Sequence, residues 1–96
     1  MGRTHKLLYR EYLVKQVIHY LACKPHSLDI DFVMFLILRG FRCNKTANGI
    51  KCPFCNTTSS KSGLELHILN AHYDDVLQLI DEYYKTRVSR QSFFTL

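Results

Sequence analysis

Tryptophan is absent, prolines number two and glycines four, and no apolar run exceeds the seven residues Phe32 to Leu38 (FVMFLIL). Such a run is far short of the roughly 20 residues a helix needs to cross a bilayer, so it reads as a buried element and no membrane partner is expected. No internal repeat or low-complexity tract breaks the 96 residues, which allow one domain and not two substantial ones. The amino terminus is polar and basic, with no apolar segment leading to a small-residue cleavage site. A secretory leader is therefore not expected. The expected setting is a reducing one, cytoplasm or nucleus, in which a disulfide framework is disfavoured. Also missing are a nucleophile paired with a base and a glycine-rich phosphate loop. The chain is read as a non-enzyme without a small-molecule substrate.

What is present supports folding: 47% hydrophobic residues against 22% charged, with six Phe and six Tyr. The net charge of +5 is unevenly spread. Residues 39–63 hold Arg39, Arg42, Lys45, Lys51 and Lys61 and no acid, whereas residues 64–84 hold five acids and neither Lys nor Arg. The basic segment offers contacts to phosphate or to an acidic partner. The acidic block argues against one uniformly basic face.

Four helices and a hairpin are predicted. Leu13, Val14, Val17, Ile18 and Leu21 form a helical stripe within residues 7–21, ended by Pro25. Cys23, near its end, is expected to be a buried thiol and not a metal ligand. Ser27 or Asp29 could cap a second helix running to Leu38 and stopping at Gly40. Periodicity alone leaves FVMFLIL open between helix and strand, and the flanking acids and glycine favour helix; this element is expected to form the core. Phe41 to Cys55 reads as a β-hairpin turning at Asn48-Gly49, with Phe41 and Ile50 inward. A polar loop (NTTSSKSG) follows. Ser62 and Glu65 then form a capping-box pattern for a helix that places Leu64, Ile68 and Ala71 on one face. A last helix spans about residues 75–88, and the terminal QSFFTL is apolar enough to pack back.

The chemistry concentrates in Cys52-x2-Cys55-x11-His67-x4-His72. A Cys-x2-Cys turn lets two sulfurs converge, and two imidazoles five residues apart can join them if the helix loosens in its last turn. Two thiolates and two imidazoles suit one tetrahedral Zn²⁺ and leave no position for a catalytic water. The site is read as structural.

Residues 50 to 73 resemble the Cys2His2 zinc finger, with CPFC as the knuckle and Leu64 three positions before the first histidine. Eleven residues separate Cys55 from His67 where the family usually has twelve, and Thr58-Ser59 stand where its core aromatic belongs. The resemblance therefore implies a finger embedded, over residues 41–73, in a larger domain that supplies the missing core. Phe41 and the preceding apolar helix, which runs to about Leu38, are the expected donors. A second stretch, RGFRCNKTANGIKCPFC, resembles the approach to the cysteines of the BIR repeat, with Gly40 twelve residues before Cys52 and His72 in the place of that family's histidine. The repeat's last cysteine would fall near Leu79 and its groove tryptophan is missing. The resemblance thus implies that His67 replaces the lost ligand, and carries a protein-binding role without the peptide groove.

The fold class expected is a small zinc-stabilised α+β domain. In finger-type DNA reading, the base-facing slots would hold Ser60, Ser62, Gly63 and Leu66, none of them Arg, Asn or Gln. A regulatory protein–protein interaction, through a separate partner or a homodimer, is the leading expectation. Nucleic-acid binding through the basic hairpin is the alternative.

Overall fold

A computed structural model describes the backbone of residues 2–95 and the side chains of residues 9–86. Helix α1 (Gly2–Leu21) and α2 (Ile30–Leu38) precede strands β1 (Lys45–Thr46), β2 (Gly49–Lys51) and β3 (Thr58–Ser59). Helices α3 (Lys61–Ala71) and α4 (Tyr73–Thr95) complete the order. The architecture is a small α+β one, and among the described residues no helix is long and apolar enough to cross a membrane.

All five stripe residues of α1 are buried, and α1 packs against both α3 and α4. Gln16, placed by the helical spacing off that stripe, is also buried; its Oε1 accepts a hydrogen bond from Ser27 N at 2.7 Å. That bond satisfies a polar group that would otherwise be costly to bury. It also steers the chain leaving α1 through its turn.

FVMFLIL is helical, but the expectation that it forms the core holds for only two of its members. Phe32 and Leu36 are buried, whereas Met34, Ile37 and Leu38 are exposed. The reason is that α2 is covered on one side alone, where Phe32 stacks on Tyr83 of α4 at 4.2 Å between ring centroids and Phe35 meets the same ring edge-on. The helix ends at Gly40, whose φ of +84° suits glycine. Phe41 N there donates to Leu36 O at 2.8 Å.

The hairpin is present but shorter than expected, with Phe41 before its first strand and only partly buried, and it acquires a third strand in the stretch expected to be a polar loop. Ile50 pairs with Ser59 and Lys51 with Thr58, giving an antiparallel sheet in the order β1-β2-β3. Gly49 makes this approach possible. A Cβ there would lie 2.7 Å from the Ser59 carbonyl oxygen, and its φ is +135°.

Four further expectations are corrected. The cap of α3 is Ser60, whose side chain accepts from Gly63 N, and not the Ser62–Glu65 box; Glu65 turns instead to Lys24 and His19. Ala71 is exposed although Leu64 and Ile68 are buried. Cys23 is not a free thiol but is joined to Cys43, with Cα atoms 5.2 Å apart. A turn at Cys23 (φ +61°) brings the end of α1 beside the entry to the hairpin, a proximity that sequence separation conceals. Helix α4 begins earlier and ends later than expected, while the packing expected of QSFFTL lies outside the described side chains.

One hydrophobic cluster joins all parts: Val17 and Leu21 of α1, Leu36 of α2, Ile50 of β2, Leu64 and Ile68 of α3, and Val76 and Ile80 of α4. The core missing from the finger segment is thus supplied mainly by α1 and α4, and not, as expected, by the apolar helix α2 that precedes it.

Candidate metal centre

Cys52 follows β2 directly and is buried; its backbone N–H donates to Thr57 O at 2.8 Å and closes the knuckle. The amides of Phe54 and Cys55 point at its sulfur. Burial pushes the Cys52 thiol up, and those two amides oppose the rise. Cys55 behaves oppositely. The hydroxyl and amide of Thr57, followed by His72 and His67, hold it down at about 5. Thr57 Oγ1 lies 3.2 Å from the Cys55 sulfur and His67 Nε2 lies 3.3 Å from it. Pre-formed thiolate character at one sulfur is what a metal ligand needs.

The histidines come from the far end of α3. Five residues along a regular helix leave two side chains about 140° apart. The chain leaves helical geometry at His72, which has φ −129° and ψ 24° as the C-cap, and this swings its ring back beside His67. The two ring centroids stand 5.0 Å apart. The loosening that the spacing demands is present.

One ligand atom from each of Cys52, Cys55, His67 and His72 lies within 4.8 Å of all the others. A tetrahedral ion with bonds of about 2.0–2.3 Å sets such atoms about 3.3–3.8 Å apart, a closure within reach of side-chain torsions. The decisive detail is His72. Its Nε2 is buried and has no hydrogen-bond partner, whereas its Nδ1 is held by Asp75 Oδ2 at 3.0 Å. A buried nitrogen left bare beside two sulfurs and a second imidazole fits a metal ligand, since a buried polar atom otherwise costs free energy. Burial lowers the pKa of His72, but Asp75 and the Cys55 sulfur outweigh it, so the net shift is upward.

Sequence reasoning missed the supporting residues. Asp75 orients His72 as carboxylates commonly orient ligating imidazoles. Its position three residues after His72, in the first turn of α4, was the available signal. Phe54 stacks on His72 at 5.0 Å and packs on Phe41. Thr57 carried no readable signal, because its role exists only once the knuckle has closed. Leu79 is buried in the core, and His67 makes the fourth member of the cluster.

Arg39 pairs with Glu82 and lies 4.7 Å from the Phe35 ring centroid. Arg42 and Lys51, with Asn44 and Asn56, line a cleft of about 420 Å³ over the knuckle. Lys45 sits on the edge strand and Lys61 opens α3. Arg42, Lys45, Lys51 and Lys61 make no ion pair among the described residues. Arg42 faces Tyr20, whose hydroxyl burial pushes up in pKa while the cation opposes the rise. Much of the acidic block is neutralised internally: Glu65 by Lys24, Asp81 by Arg10, Glu82 by Arg39.

No protein-family model, curated protein or solved structure matches the chain.

Proposed function

We propose that the chain is a non-catalytic, zinc-clasped module whose function is to recognise another protein surface. Two thiolates and two imidazoles are the donor set that favours Zn²⁺, and with all four engaged the ion keeps no position for substrate or a catalytic water. The ion's part is to hold the knuckle on the end of α3. Chemistry is therefore assigned to the fold's assembly, and function to its surface.

The observation carrying protein recognition is the outer side of α2. Ile30 is 78% exposed and Leu38 81%, with Met34 and Ile37 also open to solvent. A contiguous apolar side of this kind marks an interaction surface. Nucleic-acid binding is the second reading, and the cleft with Arg42 and Lys51 supports it, because those cations are unpaired while many of the acids are satisfied elsewhere. Two cations and two amides would contact phosphate without reading sequence.

Cobalt substitution tests the clasp. Co²⁺ should give the intense visible bands of a tetrahedral S2N2 site, unmoved by added azide; azide-dependent bands would reveal an open site and sink the non-catalytic reading. Retention on single-stranded and duplex nucleic acid across a salt series tests the surface. Weak retention, unaltered by Arg42→Ala and Lys51→Ala, is expected. Tight binding that falls steeply with salt and is lost in those variants would replace protein recognition by the second reading.

A further inference from the structure

The β-hairpin has two faces, and its register sorts the side chains between them. Lys45 pairs with the buried Ile50, while Lys51 N donates to Asn44 O at 2.9 Å. Asn44 and Lys51 are therefore cross-strand neighbours on the face turned away from Ile50. Arg42, just before the hairpin, joins them, whereas Cys43 between Arg42 and Asn44 is bonded to Cys23. With Asn56, which follows the knuckle, these residues line one cleft of about 420 Å³, completed by Gly40 and Cys52 to Cys55. No acid lines it. The side chains of Arg42, Asn44, Lys51 and Asn56 make no hydrogen bond or ion pair among the described residues.

Two cations and two carboxamides without partners, around a concavity free of carboxylates, are the complement of an oxyanion. The wall is fixed from behind. The Tyr20 hydroxyl donates to Phe41 O at 3.2 Å, and the Cys23–Cys43 bond ties the same stretch to the end of α1. Donors held in place before binding cost less to order. Charge then selects the anion. A phosphate monoester carries about −1.5 to −2 at neutral pH on three acceptor oxygens, which balances two cations. A carboxylate or a phosphodiester brings a single charge and leaves one cation unmatched. We infer that the cleft binds a phosphate monoester, presented as a phosphorylated side chain by the protein partner. The choice of a protein as carrier rests on the protein-recognition reading; the site itself rests on the cleft.

N-acetyl-phosphoserine amide, titrated into the zinc-loaded full chain and followed by amide NMR, reads the site. Two charge-assisted contacts, weakened by solvent, give a Kd on the order of 1 mM. Titration to about 20 mM should therefore saturate shifts of the Asn44 and Asn56 side-chain amides and of the Lys51 backbone amide. Arg42→Ala and Lys51→Ala should each weaken binding about tenfold, whereas Lys45→Ala, in register with Ile50, should leave it unchanged. All three positions are exposed, and an unchanged thermal melt and cobalt spectrum verify that each variant keeps its fold and its knuckle. N-acetyl-glutamate amide and dimethyl phosphate should bind at least about threefold more weakly, since each carries less charge. No shift at these amides with phosphoserine, or shifts that persist in the Arg42→Ala, Lys51→Ala double variant, would overturn the site. Equal affinity for glutamate or for the diester would overturn the assignment of a monoester. Failure of the protein-recognition reading shows separately, as tight, salt-sensitive retention on nucleic acid, and would remove the protein carrier while phosphoserine still bound the cleft.

Discussion

Replacing Asp75 with alanine separates a metal-orienting carboxylate from an ordinary surface acid. Asp75 touches no sulfur; its Oδ2 accepts from His72 Nδ1 at 3.0 Å and leaves Nε2 facing the two cysteines. Without that bond the imidazole loses its fixed tautomer and part of its basicity. Carboxylates in this role are generally worth about 10–100-fold in metal affinity. The Asp75 side chain is 52% exposed, so solvent screens its charge and the lower end applies. The expected loss is about tenfold, or about 1.4 kcal/mol. Asp75→Asn keeps an accepting oxygen without the charge and should fall between wild type and alanine. Competition for Zn²⁺ against a chromophoric chelator at neutral pH measures this directly. Asp74→Ala, one residue away and exposed, is the control and should leave affinity unchanged. Equal affinities for Asp75→Ala and wild type, beside a large loss in His72→Ala, would refute the orienting role.

Other outcomes follow from the packing. Chelating the metal, or Cys52→Ala, should abolish the cooperative thermal transition, since ligand binding supplies much of the folding free energy in small metal domains; an unaltered melt would place stability elsewhere. Cys23→Ala opens a link spanning a sequence separation of 20 and should cost about 3 kcal/mol in urea unfolding while the fold survives. Leu36→Ala, at a fully buried site, should cost about 2–5 kcal/mol. The Lys24 ammonium, chiefly, holds the Glu65 carboxyl below its ordinary range. Its contribution is complete above the unfolded-state pKa and is lost as pH falls through the lower folded value. Glu65→Gln should therefore flatten the acid limb of the stability curve.

Much of the site could be read from the chain because its members are close in sequence. CPFC specifies its own turn, and the distance from Cys55 to His67 leaves room for one capped helix. The helical exit at His72 follows from a five-residue spacing that a straight helix cannot satisfy. Asp75 and Thr57 escaped because their roles depend on where the His72 ring and the Cys55 sulfur come to rest. The third strand escaped for a related reason. Thr58-Ser59 has the composition of a loop, and becomes a strand only because Gly49 lets its backbone come close.

Local pattern settled the elements themselves: the α1 stripe, the stop at Gly40, the turn at Asn48-Gly49 and the four Cys and His residues that come together. These are decided by propensity, capping and spacing, which act over a few residues. Which side of FVMFLIL meets the core, which cations find acids, and that Cys23 meets Cys43 were decided by tertiary contact alone. A uniformly apolar helix has no preferred face until Tyr83 covers Phe32, and charges far apart in sequence neutralise one another only once folding has closed the distance between them.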